Sequence, residues 1–84
     1  MINEGEKAIK LLTKLVEELA TAFSNNSTNL KYDYDSVFEY VNWKLDLKKF
    51  DKYIDFLLGK GYLSDDDYVD QITQRVFQNL KQRY

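Results

Sequence analysis

The architecture follows from one short segment, Gly59-Lys60-Gly61-Tyr62-Leu63-Ser64-Asp65-Asp66-Asp67. Glycine readily takes the left-handed backbone conformation that ends helices, so Gly59 and Gly61 predict a helix terminus. Ser64 is a favoured N-cap residue, and Asp67 completes a capping box three residues later. The aspartates also suit the positive end of the following helix dipole. The segment therefore predicts a tight turn between two helices.

Apolar residues at helical spacing extend this prediction in both directions along the chain. A helix over about residues 47–58 carries the apolar stripe Leu47, Phe50, Ile54, Leu57 and Leu58. The helix that follows Ser64 carries the stripe Val69, Ile72, Val76, Phe77 and Leu80. A first helix is predicted over about residues 4–24, capped by Asn3 with Glu6. Its apolar stripe is wide, so it should pack against two neighbours.

Residues 30–46 allow two interpretations. Their first half alternates between apolar and charged side chains, as a strand does. A helix is favoured instead by a capping box of Ser36 with Glu39 and by the helical spacing of Val37, Val41 and Leu45. A lone strand would need a partner, and no other segment offers a convincing one. We therefore expect a helix from about residue 35, with an extended segment over 30–34.

A break is expected after this helix, because the apolar stripe changes phase at Asp46. The chain has 84 residues and no proline, which suits uninterrupted helices in one small domain. The sequence therefore predicts a single all-α domain over residues 1–84, built as a small irregular antiparallel bundle of three to four helices.

The composition excludes most catalytic and metal sites. Without histidine or cysteine the chain cannot form a Ser-His-Asp or Cys-His arrangement or a typical zinc site. Gly59-Lys60-Gly61 lacks the other glycines of a phosphate-binding loop, and the aspartates after it would repel phosphate. We therefore expect no enzymatic activity, no cofactor and no metal. No segment has the ~20 apolar residues of a membrane span, and the acidic N-terminus lacks a signal-peptide pattern, so a cytoplasmic protein is expected.

Acidic residues and tyrosines form the first candidate binding surface. Seven tyrosines are more than a few short helices need for packing, and tyrosine is enriched at binding hot spots. Carboxylates beside them would complement a basic partner and speed its encounter. The alternative is that the tyrosines are half-buried and the aspartates cap helices. The residues expected to contact a protein partner are Tyr32, Asp33, Tyr34, Asp35, Tyr40, Asp66 and Tyr68.

Lysines form the second candidate surface. Lys44, Lys48 and Lys52 recur at i, i+4 and i+8, with Lys49 beside them, so one helical face is predicted to be basic. Aromatic side chains such as Trp43 flank this face. A basic face with an aromatic edge could contact a nucleic-acid backbone. The alternative is an ordinary solvated helix face, because aspartates are interleaved with the lysines.

These features favour a small acidic protein, of formal net charge −2, that binds another protein. Small, acidic, tyrosine-rich chains without cofactors suit stoichiometric inhibitors of the immunity, antitoxin or phage anti-defence type, which cover a basic active site or nucleic-acid channel. In size, acidity and helicity the chain is similar to small immunity proteins that neutralise nuclease toxins, and Phe50–Leu80 resembles the short C-terminal helical hairpins of some bacterial proteins. Two alternatives stay open: nucleic-acid binding through the lysine face, and self-association through apolar residues such as Trp43 and Tyr84. The oligomeric state is left open.

Overall fold

The computed structural model describes residues 3–26 and 33–83, and within these ranges the chain forms four α-helices and no strand. The helices are α1 (Glu4–Asn26), α2 (Tyr34–Asp46), α3 (Asp51–Gly59) and α4 (Tyr68–Arg83). The predicted all-α bundle is confirmed. Of the segment predicted to be extended, residues 30–32 lie outside the described ranges, Asp33 is extended (φ −123°, ψ 174°), and Tyr34 is already helical.

The core forms around α1, which packs against α2, α3 and α4, while α2 also packs against α4. α1 thus has three neighbours where the sequence predicts two. It contributes the buried side chains Ala8, Leu12, Leu15, Val16, Leu19 and Ala20. The rest of the chain contributes Val37, Val41, Leu45, Phe50, Ile54, Leu57, Leu63, Ile72, Val76 and Leu80. None of the helices in the described ranges combines the length and apolarity needed to cross a bilayer.

Side-chain caps start the first two helices. At α1, Asn3 Oδ1 accepts the backbone N–H of Glu6 at 2.7 Å, as predicted. At α2 the predicted capping box of Ser36 with Glu39 is wrong, because the cap is Asp33, whose Oδ1 accepts the N–H of Ser36 at 2.8 Å. The carboxylate of Asp33 satisfies a free N–H group of the first turn, so Ser36 is taken up into the helix.

The break after α2 occurs where the phase change at Asp46 predicts it. Lys48 takes the left-handed conformation (φ 65°), and its N–H donates to the carbonyl of Leu45 at 3.1 Å. The prediction that the next helix begins at Leu47 is wrong, because α3 begins at Asp51. Leu47 is 54% exposed and does not belong to the apolar stripe of α3. The left-handed residue redirects the chain immediately after Leu47, which removes that side chain from the buried face.

Lys48→Gly is expected to raise the free energy of unfolding by about 0.5 to 1 kcal/mol. A left-handed conformation costs a residue with a Cβ about 1 to 2 kcal/mol, of which the greater freedom of glycine in the unfolded chain cancels part. Urea unfolding followed by circular dichroism measures the change. Lys49→Gly is the matched control, because Lys49 is exposed in the same turn without a positive φ, and it should be neutral or destabilising. Stabilisation by both variants would contradict this account.

α3 ends in a Schellman motif centred on Gly61, which has a φ of 80°. The N–H of Tyr62 donates to the carbonyl of Leu57 at 2.9 Å, and the N–H of Gly61 donates to that of Leu58 at 3.2 Å. Gly59 is the last residue of α3 and is not left-handed. The predicted helix end is therefore confirmed, and the left-handed conformation predicted for these glycines is found at Gly61 and not at Gly59.

α4 begins later than the sequence predicts, at Tyr68. The N–H of Ser64 donates to Oε1 of Gln71 at 2.9 Å, and the N–H of Asp67 donates to the carbonyl of Ser64 at 3.3 Å. Residues 64–67 thus form a turn of their own before the helix. The predicted capping box of Ser64 with Asp67 is wrong, because a glutamine inside α4 reaches back to Ser64 and the carbonyl of Asp67 accepts the first helical bond, from Gln71, at 3.0 Å.

Candidate functional site

Tyr34 joins the start of α2 to the start of α4. Its hydroxyl donates a hydrogen bond to Oδ1 of Asp70 and lies 3.4 Å from the backbone carbonyl oxygen of the same residue. Its ring stacks on Phe38 at 6.5 Å between centroids and meets the ring of Phe77 edge-on at 5.8 Å. Both the ring and the hydroxyl are therefore engaged within the fold, which leaves less of Tyr34 for a partner.

This environment raises the pKa of Tyr34. Burial of the phenol, followed by the hydrogen bond that it donates to Asp70, raises the pKa of Tyr34 to about 12. The folded state then holds this proton more tightly than the unfolded chain, in which tyrosine titrates at about 10. The stabilising contribution of Tyr34 is therefore complete below about pH 10 and is lost as the pH rises through about 12.

Tyr34→Phe is expected to lower the free energy of unfolding by about 1 kcal/mol at neutral pH, because one hydrogen bond is lost and the ring contacts remain. The difference between wild type and variant should shrink between about pH 10 and pH 12. Urea unfolding at several pH values measures both effects. The two proteins differ at this one side chain, so the difference isolates Tyr34. A difference that stays constant over this range would contradict the role of the bond to Asp70.

A groove lies between α2 and the N-terminal end of α4, and Asp70, the hydrogen-bond partner of Tyr34, is part of its lining. This groove has a volume of about 270 Å³. We call it the acidic groove, and its lining residues are Phe38, Asn42, Asp65, Asp66, Asp67, Tyr68, Val69 and Asp70. The described lining carries four carboxylates and no basic side chain. Asp33 and Asp35 flank Tyr34 in the chain and are exposed, so they extend the negative charge beyond the groove.

Helix capping accounts for only part of this negative charge. Asp33 caps α2, and the hydrogen bond from the N–H of Ser36 holds the pKa of Asp33 below its usual value. By contrast, the side chains of Asp65 and Asp66 make no hydrogen bond or ion pair with the part of the chain that the structure describes. Among those residues, no three acidic, histidine or cysteine side chains lie close enough to hold a metal ion. These exposed carboxylates are therefore available to a ligand.

The structure brings together some of the predicted partner-binding residues and separates others. Asp66 and the half-buried Tyr68 line the acidic groove, and Tyr34 contacts it through Asp70. Asp33 and Asp35 are the exposed chain neighbours of Tyr34 and are not part of the described lining.

Tyr40 faces a different part of the molecule, because its ring packs edge-on against Phe23 of α1 at 5.4 Å. Tyr32 lies outside the described residues. Sequence reasoning missed Phe38 and Asn42, although both share a helical face with Tyr34 at spacings of four and eight residues.

The predicted basic face of a single helix is not formed, because α2 and α3 are separate helices. Lys44 belongs to α2, Lys48 and Lys49 lie in the turn that follows it, and Lys52 belongs to α3. Lys44 is held against aromatic rings, with its Nζ 5.1 Å from the ring centroid of Trp43. These four lysines therefore do not share the face of one helix.

A second and larger groove, of about 830 Å³, lies between α1 and the junction of α2 with α3. We call it the basic groove, and its charged lining residues are Lys10, Lys14, Lys44, Lys49, Glu17 and Glu18. Lys48 and Lys52 are not part of its described lining. Sequence reasoning missed Lys10 and Lys14, because they come from α1 and join the other lysines only when the helices pack.

The chain matches no protein-family model, no curated protein and no solved structure. No residue role is therefore carried over from another protein.

Proposed function

We propose that this protein binds a second protein through the acidic groove and covers a basic surface on it. The observation that carries this proposal is the lining of the groove, in which four carboxylates stand without a basic side chain among the described residues. Asp65 and Asp66 have no charged partner in the described part of the chain. A basic partner would supply that counter-charge.

The aromatic residues of the groove indicate which side chain of a partner would fit. Phe38 and the half-buried Tyr68 contribute aromatic surface to the same lining as the carboxylates. A guanidinium group can stack on such a ring while it donates two hydrogen bonds to one carboxylate. At about 270 Å³ the groove is smaller than most pockets for small molecules. These properties favour insertion of an arginine from a protein partner.

The mechanism that follows is occlusion in a one-to-one complex. Negative charge on the groove and on Asp33 and Asp35 would attract a basic surface from a distance and raise the association rate. The bound protein would then exclude substrate from an active site or nucleic acid from a channel. An inhibitor of the immunity, antitoxin or phage anti-defence type would act in this way. The absence of enzymatic activity and the cytoplasmic location remain predictions.

Affinity capture from lysate of the source cell, with and without nuclease treatment, tests the proposal. Three tagged proteins are compared: the wild type, Asp65→Asn/Asp66→Asn, and Lys44→Gln/Lys49→Gln as the matched control in the basic groove. We expect one basic protein in stoichiometric amount with the wild type and with the lysine variant, and its loss with the aspartate variant. Equal recovery by all three, or recovery only without nuclease, would contradict binding through the acidic groove.

A further inference from the structure

Trp43 presents an aromatic face beside the basic groove. Its side chain is 55% exposed, although tryptophan buries a large apolar area wherever a small protein can pack it. The ring is held by Tyr40 at 5.8 Å between centroids, and Tyr40 packs edge-on against Phe23 of α1 at 5.4 Å. A row of three rings therefore runs from α1 to the surface and fixes the orientation of Trp43.

Lys44 connects Trp43 to the basic groove. Its Nζ lies 5.1 Å from the centroid of the Trp43 ring, and the same side chain lines the groove. A second lysine of the groove is also held by an aromatic ring, because Lys14 Nζ lies 5.8 Å from the centroid of Tyr53. Cations placed in this way have already lost part of their side-chain freedom, which lowers the cost of binding an anion.

We infer that Trp43 and the basic groove form a binding site for single-stranded RNA. An unpaired base stacks on the exposed face of Trp43, and the adjoining phosphates pass along the lysines of the groove. A duplex cannot offer a base in this way, because its bases are stacked on one another. An exposed ring beside a groove of cations is the combination that single-strand binders use.

The two glutamates of the groove favour RNA over DNA. Glu17 and Glu18 would only repel the phosphates of a DNA strand. The 2′-hydroxyl of RNA is a hydrogen-bond donor, so a carboxylate can accept a hydrogen bond from it. With four lysines against two carboxylates, the groove carries a small positive charge, and we expect weak binding that depends steeply on salt.

Trp43 is the only tryptophan of the chain, so its fluorescence reports directly on stacking. Titration of the purified protein with oligouridylate of about ten nucleotides at low salt should quench this fluorescence and raise the anisotropy of the labelled oligonucleotide. Contact with four phosphates predicts a slope of about −3 for log K against log salt. Oligodeoxyuridylate of the same length should bind more weakly, and polyglutamate should not quench Trp43.

Variants locate the site on the molecule. Trp43→Ala should weaken binding about tenfold or more, measured by anisotropy. Lys44→Glu/Lys49→Glu should remove the anisotropy change. Lys48→Glu/Lys52→Glu is the matched control, because it changes the net charge equally and both lysines are exposed and outside the described lining of the groove. It should change the affinity only a few-fold.

The proposed RNA site and the proposed function of the acidic groove can be contradicted independently of each other. Asp65→Asn/Asp66→Asn should bind oligouridylate at least as well as the wild type, so loss of one interaction leaves the other testable. Absence of quenching and of any anisotropy change at low salt would overturn the inference. It would also be overturned by an effect of Lys48→Glu/Lys52→Glu as large as that of Lys44→Glu/Lys49→Glu, by equal or tighter binding of oligodeoxyuridylate, or by quenching with polyglutamate. Circular dichroism establishes that each variant is folded.

Discussion

Asp65→Lys/Asp66→Lys is expected to weaken binding of the basic partner at least about 100-fold. The change removes two carboxylates that make no hydrogen bond or ion pair with the described part of the chain and places two cations against a basic surface. Like charges across an interface cost several kcal/mol, and the loss of steering lowers the association rate. Surface plasmon resonance at two salt concentrations measures affinity and rate together. The difference in affinity between variant and wild type should be smaller at the higher salt, because screening weakens both the like-charge repulsion and the electrostatic steering.

Asp51→Lys/Asp55→Lys is the control for this experiment. Both aspartates are exposed on α3, Asp51 lies in its first turn, and neither lines the acidic groove. Each substitution adds two positive charges, so both double variants move the formal net charge from −2 to +2. Net charge and charge near a helix N-terminus are thus closely matched. A similar loss of affinity in the two variants would mean that net charge, and not the acidic groove, governs binding.

Local features of the fold could be predicted from the sequence because their causes lie within a few residues. The spacing of Val37, Val41 and Leu45 gives α2 its buried face, and the phase change at Asp46 gives its end. The predictions failed where two local partners compete. Asp33 takes the cap that Ser36 was expected to provide, since both can offer an oxygen to the first turn and the earlier residue satisfies it.

The candidate surfaces were harder to predict, because each depends on contacts between distant parts of the chain. The acidic groove combines Phe38 and Asn42 of α2 with residues 65–70, and a one-dimensional pattern does not show that pairing. The sequence identified the aspartates as a group but not the aromatic residue Phe38, which lines the groove with them. The basic groove has the same origin, because lysines of α1 meet Lys44 only after the helices have packed.

Leu57→Ala is expected to lower the free energy of unfolding by about 3 kcal/mol, whereas Leu47→Ala should change it by less than about 0.5 kcal/mol. The sequence places both leucines in the same apolar stripe, yet Leu57 is fully buried and Leu47 is 54% exposed. The two substitutions have the same chemistry, so they compare burial alone. Leu57→Ala should lower the melting temperature by about 15 °C for a domain of this size. Differential scanning calorimetry measures both, and equal effects would contradict the left-handed break at Lys48.

The consequence of Leu57→Ala should extend to the acidic groove. The carbonyl of Leu57 accepts the N–H groups of Tyr62 at 2.9 Å and Leu63 at 3.3 Å, so it positions the chain that leads into Asp65 and Asp66. A domain of this length has a total stability of only about 4 to 13 kcal/mol, of which the substitution removes a large share. Partner binding should therefore weaken with rising temperature earlier than in wild type and remain normal well below the melting point. Binding that is lost even at low temperature would show that the side chain of Leu57 shapes the groove directly, beyond its part in the core.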